Sequence, residues 1–82
     1  METGQEFKTS DFVLAISILS LGGAFIRIDP KGQGKSDFVF TNTEELETTV
    51  GLFWKNQLMI EPRHFYFTHK FLKGKLNQAQ GR

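Results

Sequence analysis

The sequence predicts a single small α+β domain in which three helices pack on an antiparallel sheet. A chain of 82 residues is too short for more than one core. Two neighbouring segments are rich in β-branched and aromatic residues, and a Pro/Gly turn separates them. Three other segments have apolar residues at helical spacing. We expect the order α-β-β-α-(β)-α, with an optional third strand, so the sheet is a hairpin or has three strands.

The first helix is predicted to follow residues 9–11 (Thr-Ser-Asp), which have the side chains of a helix N-cap and an acidic first turn. The following segment, residues 12–21, is apolar on most of the helical wheel. A narrow stripe is left for solvent, formed by Val13, Ser17 and Ser20. Two glycines at 22 and 23 end the helix.

A β-hairpin is predicted for residues 24–41, with its turn in residues 30–35 (Pro-Lys-Gly-Gln-Gly-Lys). Two glycines and two lysines in this turn resemble a cradle for an anion. The turn lacks the phosphate-binding pattern Gly-x-x-x-x-Gly-Lys-Ser/Thr, and a strand rather than a helix follows it. We therefore interpret it as a solvated hairpin tip.

The second helix is predicted to start with Asn42 as N-cap and to end near Asn56. Its core face consists of Leu46, Val50, Phe53 and Trp54. Residues 58–60 (Leu-Met-Ile) then form either the optional third strand or a buried linker.

Pro62 suits the first turn of the third helix, because a proline there loses no hydrogen bond. The helix is predicted to run to about Asn77. The folded domain is therefore expected to span residues 7–76, with flexible termini at 1–6 and 77–82.

Several local patterns resemble a known group of sequences. They are the Thr-Ser-Asp-Phe run at residues 9–12, the Leu-Gly pair at 21–22, the Phe-Val-Phe segment at 38–40 and the Phe-Trp-x-Asn…Glu-Pro-Arg element at 53–63. The chain is similar to short bacterial and phage domains of unknown function, about seventy residues long. It departs from their pattern at Glu61, where we expect Asp. The resemblance implies a self-sufficient domain, often encoded alone, and it carries no catalytic residue.

Composition and spacing argue against an enzyme, a metal protein and a membrane protein. The chain has no Cys, which excludes disulfides and thiolate chemistry. The two histidines, His64 and His69, are five residues apart and would point about 140° away from each other on a helix. The longest apolar run is half of the roughly twenty residues that a membrane span needs. No secretory signal or catalytic motif is legible. We expect a cytoplasmic protein without catalytic residues, metal or cofactor.

Charge is distributed unevenly along the chain. Residues 1–54 carry four basic and eight acidic side chains, whereas residues 55–82 carry six basic and one acidic. The balances are therefore −4 and +5. A basic segment can mark an acidic or nucleic-acid partner, or the two halves can neutralise each other within one fold.

The third helix is the predicted binding element. Its core face is formed by Phe65, His69, Leu72 and Leu76. The remaining side combines cations with aromatic rings, and its candidate binding residues are Arg63, Tyr66, Phe67, Lys70, Phe71 and Lys73. Alternatively, Phe67 and Phe71 pack beneath Trp54 or the hairpin.

We therefore expect a non-enzymatic binding module, with nucleic acid as the first candidate partner, because rings stack on bases and cations neutralise phosphates. The alternative is a protein-interaction module, such as a dimerising adaptor or a phage-encoded inhibitor of a host protein. Aromatic and Arg side chains are also favoured in protein interfaces. The two hypotheses differ in the salt dependence of binding.

Overall fold

The computed structural model describes residues 5–80 and has the predicted α+β architecture. Three helices accompany one three-stranded antiparallel sheet. The elements, in chain order, are β1 (Glu6–Thr9), α1 (Phe12–Ser20), β2 (Phe25–Gly32), β3 (Lys35–Thr41), α2 (Glu44–Trp54) and α3 (Pro62–Gln80).

The sheet order is β1-β3-β2, and β3 pairs with both neighbours in antiparallel register. The predicted hairpin is β2 and β3. The third strand is β1, however, and the optional strand at residues 58–60 is wrong: that segment has no strand conformation. Leu58 and Ile60 are half-buried while Met59 is 87% exposed, so the segment is a linker with two anchoring side chains.

One face of the sheet lies against the helices and carries its aromatic residues. Phe7 pairs with Phe40, and Phe25 pairs with Phe40 from the other side. These side chains pack with α1, whose Leu14, Ala15, Ile16 and Ile18 are buried. Helix α1 contacts both α2 and α3, so it is the central element of the helical layer.

The opposite face of the sheet is covered by charged side chains. Arg27 donates two hydrogen bonds to the Glu6 carboxylate, at 2.9 and 3.0 Å, and a third to Asp29 at 2.8 Å. Arg27 and Lys8 both pair in register with Val39 on the central strand, and Val39 is fully buried. Because Val39 lies on this outer face, long charged side chains are its cover.

Helix α1 starts at an Asp N-cap and ends in a Gly C-cap. Asp11 Oδ1 accepts the Leu14 N–H at 3.1 Å, and Thr9 Oγ1 accepts the Asp11 N–H at 3.0 Å. At the other end, Gly22 has φ 92° and its N–H donates to the Leu19 carbonyl, which is the Schellman arrangement. The predicted solvent stripe was partly wrong. Val13 is 51% exposed, but the two serines predicted beside it, Ser17 and Ser20, are buried.

Helix α2 is capped by Thr43 rather than by the predicted Asn42, because Thr43 Oγ1 accepts the Leu46 N–H at 3.0 Å. Its C-terminus closes with a second Schellman arrangement. Asn56 has φ 60° and donates to the Phe53 carbonyl, and the Gln57 N–H donates to the Leu52 carbonyl. Asparagine tolerates this left-handed conformation better than most residues.

Helix α3 begins at Pro62, as predicted, and Glu61 caps it by accepting the His64 N–H at 2.8 Å. The helix extends to Gln80, past its expected end at Asn77. Of the termini predicted to be flexible, residues 1–4, 81 and 82 lie outside the described residues. Glu6 belongs to β1, and residues 77–80 belong to α3.

Candidate functional site

The core face of α3 is the one that the helical wheel predicted. Leu72 is fully buried, and Phe65 and Leu76 pack against the same core. His69 is half-buried and its ring lies 5.4 Å from the Phe12 ring in an edge-on arrangement. These contacts fix the rotation of α3 and turn its other side to solvent.

Three aromatic side chains lie on the solvent side of α3. Tyr66, Phe67 and Phe71 are 53%, 59% and 52% exposed. The Tyr66 and Phe67 rings meet edge-on at 5.5 Å. The alternative that Phe67 and Phe71 lie beneath Trp54 or the hairpin therefore does not describe the fold, and Trp54 is itself 63% exposed.

Two lysines lie over these rings at the distance of a cation–π contact. Lys70 Nζ is 5.5 Å from the centre of the Tyr66 ring, and Lys75 Nζ is 5.4 Å from that of Phe71. The sequence prediction included Lys70 and missed Lys75. The signal was present, because Lys75 follows Phe71 by four residues and such pairs are neighbours on a helix.

The remaining candidates, Arg63 and Lys73, are exposed on the same helix. We call the surface formed by Arg63, Tyr66, Phe67, Lys70, Phe71, Lys73 and Lys75 the α3 surface. Its apolar edge meets α1 at a cavity of about 260 Å³ lined by Leu19, His64, Phe67, Thr68 and Phe71.

The α3 surface is basic because the helix contains no acidic residue from Pro62 to Gln80. Within residues 5–80, the ion pairs all lie on the outer face of the sheet and none involves a cation of α3. In that part of the chain, no ion pair therefore supports the alternative that the acidic and basic halves neutralise each other. The acids of the first turn of α2 are exposed: Glu44, Glu45 and Glu47.

The histidines have structural partners. His64 Nε2 lies 2.8 Å from the Ser20 carbonyl oxygen and so donates to the C-terminal end of α1. No group of three His, Cys, Asp or Glu side chains in the described residues is arranged to hold a metal ion. None of the helices described between residues 5 and 80 is long and apolar enough to cross a membrane.

Three of the four sequence patterns that carry the family resemblance lie at helix ends, and the fourth, at residues 38–40, lies in the central strand β3. Asp11 and Glu61 are N-caps, and Gly22 and Asn56 are the left-handed residues after α1 and α2.

Comparison with known proteins gives one result. No curated protein and no solved structure matches the chain significantly. A family model, described as a domain of unknown function (DUF5659), matches residues 4–78. The match spans β1 to α3, the whole arrangement of sheet and helices described above, and the chain therefore belongs to the DUF5659 family.

Proposed function

We propose that the protein is a non-enzymatic, cytoplasmic binding module whose α3 surface binds single-stranded nucleic acid. The observation that carries the proposal is the interleaving, on one helix, of exposed rings with cations that form no ion pair within residues 5–80. Single-stranded nucleic acid requires both, because bases stack on aromatic rings while Lys and Arg neutralise the phosphates.

The ring contacts support a polyanion rather than an apolar partner. An ammonium group lies about 5.5 Å from the centres of the Tyr66 and Phe71 rings. An apolar partner would have to bury these ammonium groups without a counter-charge, which is costly. A nucleic acid supplies a phosphate to each lysine. When the lysine moves from its ring to the phosphate, the ring is free to stack on a base.

The electrostatic environment supports the same partner. The first turn of α2 holds three acidic residues, but α2 packs on α1 and makes little contact with α3. The carboxylate nearest to α3 in sequence is that of Glu61, and it is engaged at the N-terminus of α3, where its Oε1 atom accepts the His64 N–H. A phosphate backbone along α3 would meet a field that is positive along the helix.

A second candidate is a protein interface, including a homodimer, centred on Phe67 and Phe71. The cavity of about 260 Å³ between these rings and Leu19 favours it, because an aromatic or aliphatic anchor of a partner could fill it. This candidate predicts association with weak salt dependence.

The proposal is tested by fluorescence anisotropy of labelled single-stranded DNA and RNA and of a duplex, each titrated with the protein at two or more salt concentrations. We expect the single strands to bind more tightly than the duplex. The logarithm of the affinity should fall linearly with the logarithm of salt concentration, by about 0.7 for each phosphate contact.

Two variants and a control separate the contributions. Lys70→Gln/Lys73→Gln should lower the salt slope by about 1.4, since two phosphate contacts are lost. Tyr66→Ala should weaken binding by about 5- to 150-fold, the range for one base–ring stack. The matched control, Lys8→Gln/Lys55→Gln, removes the same charge away from α3 and should keep the slope. Equal losses in both double variants, or no binding at low salt, would rule out the α3 surface.

A further inference from the structure

A separate cavity, which shares no lining residue with the one at the apolar edge of α3, lies beside the tip of the β2–β3 hairpin. It measures about 410 Å³ and is formed by three parts of the chain that are distant in sequence. These are the start of α1, the hairpin and the end of α3. The lining residues are Ser10, Phe12, Lys31, Gly34, Lys35, Ser36, Phe38 and Leu76.

The hairpin turn gives this cavity one of its walls. Gly32, Gln33 and Gly34 all have positive φ, at 84°, 57° and 77°. The register between β2 and β3 shifts at Pro30, which places one additional residue, Lys31, in β2. The tip therefore bends out of the regular ladder, and the two lysines that flank the turn both line the cavity.

The lining has an apolar part and a cationic part. The Phe12 and Phe38 rings lie 5.6 Å apart and, with Leu76, form the apolar part. Lys31 Nζ is 3.4 Å from Asp37 Oδ1, so its charge is already compensated. Within residues 5–80, Lys35 makes no ion pair and no carboxylate is among the residues that line the cavity.

We propose that this cavity binds a small amphipathic organic anion, with its carboxylate at Lys35 and its apolar body on Phe12, Phe38 and Leu76. The volume lies within the range of about 300–1,000 Å³ that is usual for small-molecule sites. Such sites combine a mostly apolar lining with a few polar groups that orient the ligand. An amphipathic cation would place its positive charge beside two lysines, which would repel it. A neutral molecule would supply no counter-charge to Lys35.

The proposal is tested with octanoate by NMR of the ¹⁵N-labelled protein, with octylamine, octanol and inorganic phosphate as comparison probes. Octanoate should cause saturable shifts in the amide signals of Ser10, Gly34, Ser36 and Leu76. Octylamine and phosphate should not, because the first has the wrong charge and the second lacks the apolar body. Octanol should bind more weakly than octanoate.

Substitution of one lysine tests the orientation of the ligand. Lys35→Gln should weaken octanoate binding about tenfold, the loss expected for one charge-assisted hydrogen bond, and should leave octanol binding unchanged. Lys55→Gln, which removes an exposed cation at the C-terminal end of α2, should leave both unchanged. The proposal is overturned if octanoate causes no saturable shift, if octylamine binds as well, if the shifts map to Phe67 and Phe71, or if Lys35→Gln binds octanoate normally. The nucleic-acid proposal is independent of these outcomes, since the two sites share no residue.

Discussion

Replacing Gly23 by Ala tests how closely the chain after α1 approaches the last turns of that helix. A Cβ atom at this position would overlap the Ile18 Cγ2 atom and would lie 2.9 Å from the Ile18 carbonyl oxygen. The Gly23 N–H also donates to that carbonyl at 2.9 Å, as part of the cap of α1. The new methyl group therefore cannot be accommodated by a side-chain movement alone, because a backbone atom must also shift.

The expected cost follows from these two contacts. Overpacking against the buried Ile18 costs about 1–3 kcal/mol, and the weakened cap hydrogen bond about 1 kcal/mol more. We expect the free energy of unfolding to fall by about 2–4 kcal/mol in total. At about 4–8 °C per kcal/mol for a domain of this size, Tm should fall by at least about 8 °C.

Gly51→Ala is the matched control, because it is the same chemical change in the interior of α2, where nothing lies within 4 Å of the added Cβ. It should raise the free energy of unfolding by about 0.5–1 kcal/mol through helix propensity. Urea and thermal unfolding followed by far-UV circular dichroism measure both variants, with equal m-values required for the comparison. If Gly23→Ala is neutral, or if both variants change stability in the same direction, the close approach at Ile18 is refuted.

Three further predictions concern the caps and the outer face of the sheet. Asp11→Ala should lower the free energy of unfolding by about 1 kcal/mol, whereas Asp11→Asn should largely preserve it, as urea unfolding will show. Asn56→Gly should keep stability while Asn56→Val lowers it in the same assay, because a β-branched residue is strained at φ 60°. Hydrogen bonds from Arg27 hold the carboxyl pKa values of Glu6 and Asp29 below their ordinary 4.5 and 3.8. A depressed folded pKa means stability that is present above the ordinary pKa and lost as pH falls through the folded one, so an acid titration of stability should be steeper for the wild type than for Arg27→Leu.

The helices were predictable because their signals are local. Pro62 and the apolar spacing of Phe65, Leu72 and Leu76 are read within one segment, and they gave the start and the core face of α3. The hairpin was predictable for the same reason, since its two strands adjoin one turn.

Strand β1 was not predictable in this way. It has four residues and only one large apolar side chain, Phe7, and its partner β3 begins about thirty residues later. The three apolar residues at 58–60 gave the stronger local signal, yet the edge of β3 that could take a third strand is occupied by β1. Pairing between distant segments depends on tertiary packing, which outweighs local propensity.

The candidate site divides along the same line. The cations and rings of α3 could be found from one helical wheel, and Lys75 could have been found from its spacing of four residues from Phe71. The cavity beside the hairpin tip is lined by residues near positions 10, 35 and 76. Because these positions are far apart in sequence, no local pattern predicts the cavity.

The short β1 strand gives the molecule a route to strand exchange between two copies. Four residues of β1 pair with β3. On the outer face of the sheet, the bidentate hydrogen bond from Arg27 to Glu6 connects β2 to β1. If β1 separated from β3, the edge of β3 would expose unpaired backbone N–H and C=O groups. These groups could pair in the same register with β1 of another copy. At high protein concentration, we expect domain-swapped dimers in which the two copies exchange β1 and keep every other contact of the fold. Acidic pH or replacement of Arg27 should favour them.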